Sequence, residues 1–183
     1  GIVGFGLVAS TDTGWQAIAP FLFLYGVGVG LATAQLTGVI MVDVPMEKTG
    51  QGSGSQSTVR QIGSALGIAV IGTMLFTGTE SSLQDRLDEI GVPVANQAVI
   101  VEAVVDSAGA VIPQISGIVT ATGVDAATAD SIGQASGEAF TDGAQLAAYA
   151  AAGFLVLGFL STFRLGGLAP EPKPAGQSKG KKN

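Results

Sequence analysis

Charged side chains are missing from three stretches of the chain, residues 13–42, 61–79 and 143–163, which are 30, 19 and 21 residues long. Each is dominated by Leu, Ile, Val, Ala, Phe and Gly. A helix on the surface of a soluble protein meets charge on its wet face every turn or two. At about 1.5 Å per residue, roughly 20 apolar residues cross a hydrocarbon core about 30 Å thick. The pattern therefore predicts membrane-spanning helices over 17–43, 57–77 and 143–163, in an all-α polytopic bundle. The opening GIVGFGLVAS is apolar over only nine residues, too few to cross, and has neither a Met nor a basic leader region. Residues 1–9 read as the end of a truncated spanning helix, and the chain as a C-terminal fragment.

Between the runs the character changes. The polar turn STDTG at 10–14 precedes Trp15, a residue type suited to a membrane interface. Pro45 ends the first span, since the residue before a proline is driven from helical geometry. A short Gly/Ser-rich turn over 44–56 leads to the second span. Residues 79–142 hold ten acidic side chains and one basic one, Arg86, for a net charge of −9. Within this loop SSLQDRLDEI reads as a short amphipathic helix, with Leu83, Leu87 and Ile90 at helical spacing. VANQAVIVEAVVDSAGAVI reads as a helix lying on the membrane or packed in the loop, because Glu102 and Asp106 would be costly in lipid. The tail 164–183 carries five basic residues and one acidic, with the Pro, Gly and Lys content of a disordered segment. Basic flanks favour the cytoplasm, which places the tail and the 44–56 turn inside and the acidic loop outside. One orientation, in the plasma membrane, satisfies all three.

Composition narrows the chemistry. Charged residues are 12% of the chain, about half the usual share of a soluble domain. With no Cys and no His, disulfides, thiolate or imidazole metal sites and His-dependent nucleophiles are excluded. GVGVG at 26–30 has the wrong spacing for a dinucleotide fingerprint, and GQGSGS at 50–55 lacks the Lys of a phosphate loop. No cofactor, metal, nucleic-acid partner or enzymatic activity is expected. The glycines instead suit close helix packing: Gly26 with Gly30, Gly63 with Gly67, and Ala147 with Ala151 each share a helix face.

Polar residues inside the spans are the candidate contacts. Tyr25, Thr33 and Gln35 of the first span offer aromatic contact and hydrogen bonding without fixed charge. Gln35 cannot face lipid cheaply, so it meets either a neighbouring helix or an aqueous cavity. Asp43 and Arg60 fall at the cytoplasmic ends of consecutive spans, where they pair across the turn or act as separate interfacial charges.

The run VPMEKTGQGSGSQSTVRQIGSALGIAVIG, preceded by PFLFLYGVGVG, resembles the late helices of the major facilitator superfamily, in its fourteen-helix drug:proton antiporter branch (EmrB/QacA type). The likeness lies in a Gly-rich helix (Gly26, Gly28, Gly30), a V-P-x4-G-x2-SG turn (Val44, Pro45, Gly50, Ser53, Gly54), an R-Q-x-G opening (Arg60, Gln61, Gly63) and a large loop before the last span. The resemblance implies helices eleven to fourteen of such a protein, with the two middle helices lining a central cavity. It also implies protons as the coupling ion. The branch's antiporter signature and its intramembrane charges belong to a first half that this chain does not contain.

Two functions follow. The first is a multidrug efflux proton antiporter, a secondary active transporter that carries small amphipathic or hydrophobic substrates by alternating access. There Tyr25, Thr33 and Gln35 would bind substrate. Gly26, Gly30, Asp43, Pro45, Gly50, Arg60, Gln61, Gly63 and Gly67 would serve structure or gating, and the missing N-terminal helices and the lipid bilayer would be the partners. The alternative is a small membrane interaction protein that binds a partner through its acidic outer loop.

Overall fold

The computed structural model describes residues 1–11, 13–42 and 44–165, so the expected Asp43–Arg60 pair and the tail from 166 onward lie outside the described residues. The elements are α1 (Ile2–Val8), α2 (Trp15–Val42), a single 3-10 turn (Met46–Lys48), α3 (Thr49–Ile90), α4 (Val94–Asp106), α5 (Ile112–Ala121) and α6 (Ala126–Leu165). The described residues contain no strand. Among the described residues three helices, α2, α3 and α6, are long and apolar enough to cross a membrane. The fold is that of a polytopic membrane helix bundle.

Two of these helices are much longer than a bilayer requires. With 42 residues, α3 extends for about 63 Å, twice the thickness of a hydrocarbon core. The 40 residues of α6 make it nearly as long. Most of the connection expected over 44–56 is thus the first turns of α3, not an open turn. In those turns Thr49 Oγ1 donates to the Met46 carbonyl at 3.0 Å and Ser53 Oγ to that of Thr49 at 3.0 Å. At the other end SSLQDRLDEI is the last part of α3 and not a separate helix. Gly91 ends it in the left-handed region (φ 81°), which a side chain disfavours, and Val92 N–H returns to the Leu87 carbonyl at 3.0 Å.

Residues 79–142 form a lobe of packed helices with its own core. Leu83 and Leu87 of α3 meet Ile100, Val101 and Val104 of α4, Ile115 and Val119 of α5, and Ala129, Ile132, Ala135 and Ala139 of α6. The i, i+3, i+4 spacing within each helix puts these side chains on one stripe. Leu83, Leu87 and Val104 are fully shielded, each such burial contributing about 1.5–3 kcal/mol. Buried Gln97 joins α4 to the end of α3, its Nε2 donating to Asp88 Oδ1 and to the Val92 carbonyl, both at 2.7 Å. VANQAVIVEAVVD is therefore packed within the lobe through its apolar face, with Glu102 and Asp106 exposed.

Contacts divide the chain into two units, Gly1–Ala152 and the residues from Gly153 on. In the second, the described residues complete α6, where Phe159 and Phe163 stack edge-to-face with centroids 5.1 Å apart. In the first, α1 lies against α2, with Gly1 and Gly4 on Phe21 and Tyr25. Gln145 Nε2 of α6 donates to the Ala9 carbonyl at 2.7 Å. α3 and α6 also approach closely: a Cβ on Gly143 would stand 2.5 Å from the Leu75 carbonyl oxygen, and one on Gly78 3.1 Å from the Gly143 Cα.

Candidate functional site

Apolar side chains of α2 face outward: Leu22, Phe23, Leu24, Val27, Val29, Leu31, Leu36 and Val39 are all exposed. Tyr25, also exposed, lines with Leu22 a hollow of about 270 Å³ shared with Phe5 of α1, Ile71 of α3, and Ala147 and Ala151 of α6. The alanines expected to form a small-residue face thus open one between helices of this chain.

Thr33 and Gln35 are exposed and are not brought together. At about 100° per residue, Thr33 lies roughly 80° to one side of Tyr25 and Gln35 roughly 80° to the other. Gly26 and Gly30 share the Thr33 flank, while Gly28 lies about two turns from Gln35 on the Gln35 flank. The three polar candidates therefore mark three directions around α2 instead of one pocket wall. A Cβ on Gly26, Gly28 or Gly30 would touch nothing within 4 Å.

The same openness holds on α3. Gly63 and Gly67 also have nothing within 4 Å of a Cβ position, and Arg60 and Gln61 are exposed beside them. Arg60, Gly63 and Gly67 lie on one stripe at i, i+3, i+7. Pro45 precedes the 3-10 turn and accepts through its carbonyl from Lys48 N–H at 2.8 Å; Gly50, in the first turn of α3, has open space around it. No group of three or more metal-ligating side chains occurs among the described residues. The spans offer apolar surface, small-residue faces and hydrogen-bonding groups.

One cluster escaped the sequence reading. Arg86 of α3 pairs with Glu138 and with Asp142 of α6, the latter at 3.0 Å, and Ser82 Oγ donates to Asp142 Oδ2 at 2.7 Å. Burial acts to lower the Arg86 pKa, but the hydrogen bond to Asp142 and the charges of Glu138 and Asp142 outweigh it and leave it raised. The available signal was that Arg86 is the lone base among the ten acids of 79–142, which gives it a choice of partners. Asp125 caps α6, accepting from Thr128 N–H at 2.9 Å. The side-chain and backbone hydrogen bonds of Thr128 hold its carboxyl below the usual 3.8.

Comparison with known proteins bears on these helices. Over 145 residues, 78% of the chain, the sequence is 32% identical to multidrug resistance protein Stp of Mycobacterium tuberculosis, in strains CDC 1551 / Oshkosh and ATCC 25618 / H37Rv alike. A second match, 33% identical over 64 residues or 35% of the chain, is to a probable actinorhodin transporter of Streptomyces coelicolor. The matched parts are 26% and 11% of those proteins, so the chain spans about a quarter of the length of Stp. No family model and no solved structure matches the chain.

Proposed function

We propose that this chain is the C-terminal part of a secondary active transporter of the major facilitator type, a proton-coupled exporter of small amphipathic compounds. In alternating access, two halves rock around a site near the bilayer midplane. The observation that carries the reading is the pair of open flanks on α2, Gly26–Gly30–Thr33 on one side and Gly28–Gln35 on the other. A small-residue face in a membrane helix is an invitation to close backbone contact, and an amide such as Gln35 needs a hydrogen-bonding neighbour or water. Two such flanks call for helices beyond those of this chain, as does the similar face of α3.

On this reading the hollow beside Tyr25 is an internal packing feature, and substrate meets α2 on the Gln35 flank. Residues 44–48 face the cytoplasm and the acidic lobe faces outward. The alternative, a small membrane protein whose acidic lobe binds a partner, is favoured by the lobe's own core but gives the open flanks of α2 and α3 no purpose.

The test is export. The complete coding frame, expressed in cells stripped of their main exporters, should lower accumulation of a fluorescent amphipathic cation such as ethidium, and collapse of the proton gradient should restore it. Gly30→Leu, which puts bulk on an open flank, should abolish most of the export while the protein remains in the membrane. Accumulation equal to that of the empty vector, with the protein present, would refute the proposal.

A further inference from the structure

The acidic lobe contains a cavity that neither the spans nor the transport reading uses. It lies at the end of the lobe where α3 stops and α6 starts, between α4 and α5, and has a volume of about 470 Å³, within the range that holds a drug-sized molecule. Its floor is the lobe's core, with Ile100, Ile115 and Ile132 buried. Its mouth is apolar and open: Val99 is 66% exposed and Ile118 50% exposed.

Acidic residues lie near this apolar opening on α4 and at the start of α6. At three and seven residues beyond Val99, Glu102 and Asp106 share its stripe on α4 and are exposed. Asp125 stands between Val124 and Thr128, both of which line the cavity, and its low pKa keeps it ionised. The only basic residue of 79–142, Arg86, is already engaged by Glu138 and Asp142. An apolar hole with a negative rim selects for a ligand of one kind. Burial of a hydrophobic body is favoured by the walls, while the rim attracts positive charge and repels negative charge.

We infer that the tip of the acidic lobe is a binding site for a small amphipathic cation, distinct from any site among the spans. The apolar body of the ligand enters against Ile115, Ile118 and Ile132, and its positive charge stays near Glu102, Asp106 and Asp125 at the mouth. Binding here needs no helix beyond this chain, so the inference stands or falls independently of transport.

Isoleucine-methyl NMR of the full chain in lipid nanodiscs tests it, using tetraphenylphosphonium and its oppositely charged counterpart of similar shape, tetraphenylborate. Tetraphenylphosphonium should shift the methyls of Ile90, Ile115, Ile118 and Ile132 saturably, and tetraphenylborate should not. Neutralising the rim with Glu102→Gln and Asp106→Asn together should weaken binding by about fivefold, as exposed charge pairs allow. Ala103→Trp, at an exposed cavity-lining position, should abolish binding with the core methyls otherwise unmoved. The inference is overturned if the four methyls do not respond saturably, if both ions shift them alike, or if the folded Ala103→Trp protein binds as before.

Discussion

At the scale of single residues, glycines that look alike in the sequence do different things. Gly143 lies where α3 and α6 touch, and an added methyl would meet the Leu75 carbonyl and Thr79. Neither can yield easily: one is backbone, and the Thr79 hydroxyl is bonded to that same carbonyl at 2.9 Å. Gly143→Ala should destabilise the chain by about 1–3 kcal/mol, the usual cost of overpacking, seen as a lowered thermal midpoint in detergent. Gly67→Ala, in open space, should leave the midpoint unchanged or raise it by at most the worth of about 1 kcal/mol of helix propensity. Equal losses at both positions would contradict the packing described. Spacing alone flagged Gly63–Gly67 and Gly26–Gly30, which are open here, and passed over Gly78 and Gly143, which pack. The reason is physical: a small-residue motif shows which face can be approached, while contact depends on which partner helix is at hand. Likewise Tyr25, Thr33 and Gln35 were legible as polar residues in a span, but their separate directions around α2 follow only from the helix being continuous through all three.

At the scale of elements, the charge-free runs of the sequence mark where helices can cross the membrane, not where they end. SSLQDRLDEI has its own amphipathic stripe and looked like a helix in its own right, yet the backbone enters it from α3 without a break. Ser81→Pro separates the two descriptions. At the start of an independent helix, proline is tolerated. Inside α3 it removes a backbone hydrogen bond and clashes with the preceding turn, at about 3 kcal/mol. Hydrogen exchange at Leu83 and Leu87 should therefore accelerate markedly in the variant; unchanged protection would restore the separate helix. The start of α6 was equally hidden, because Ala126 to Phe140 carries scattered acids that resemble loop sequence. Its signal was Asp125 as an N-cap. Since the folded pKa of Asp125 is lowered, its capping contribution is full above the ordinary carboxylate value and disappears as pH falls through the lowered one. Protection of the Thr128 amide, compared with Asp125→Asn, should show that acid-side loss in the parent alone; a matching pH profile in the variant would assign the effect to other groups.

At the scale of the whole molecule, the chain combines a lobe that satisfies itself with spans that do not. The lobe encloses an apolar core and pairs its single base, whereas α2 exposes nearly all its apolar side chains and both its small-residue flanks. In a bilayer, lipid can cover Leu and Phe, but it gives no reason for glycine faces or for an exposed Gln35. The central claim is that these flanks meet further helices of one longer transport protein. The most direct measurement is the size of the native protein in membranes of its source cells, detected with an antibody raised against residues 79–142. The account predicts an integral membrane polypeptide several times the length of this chain, in keeping with the 26% of Stp that the matched region represents. A native product of 18.2 kDa, the mass of these 183 residues alone, would contradict it.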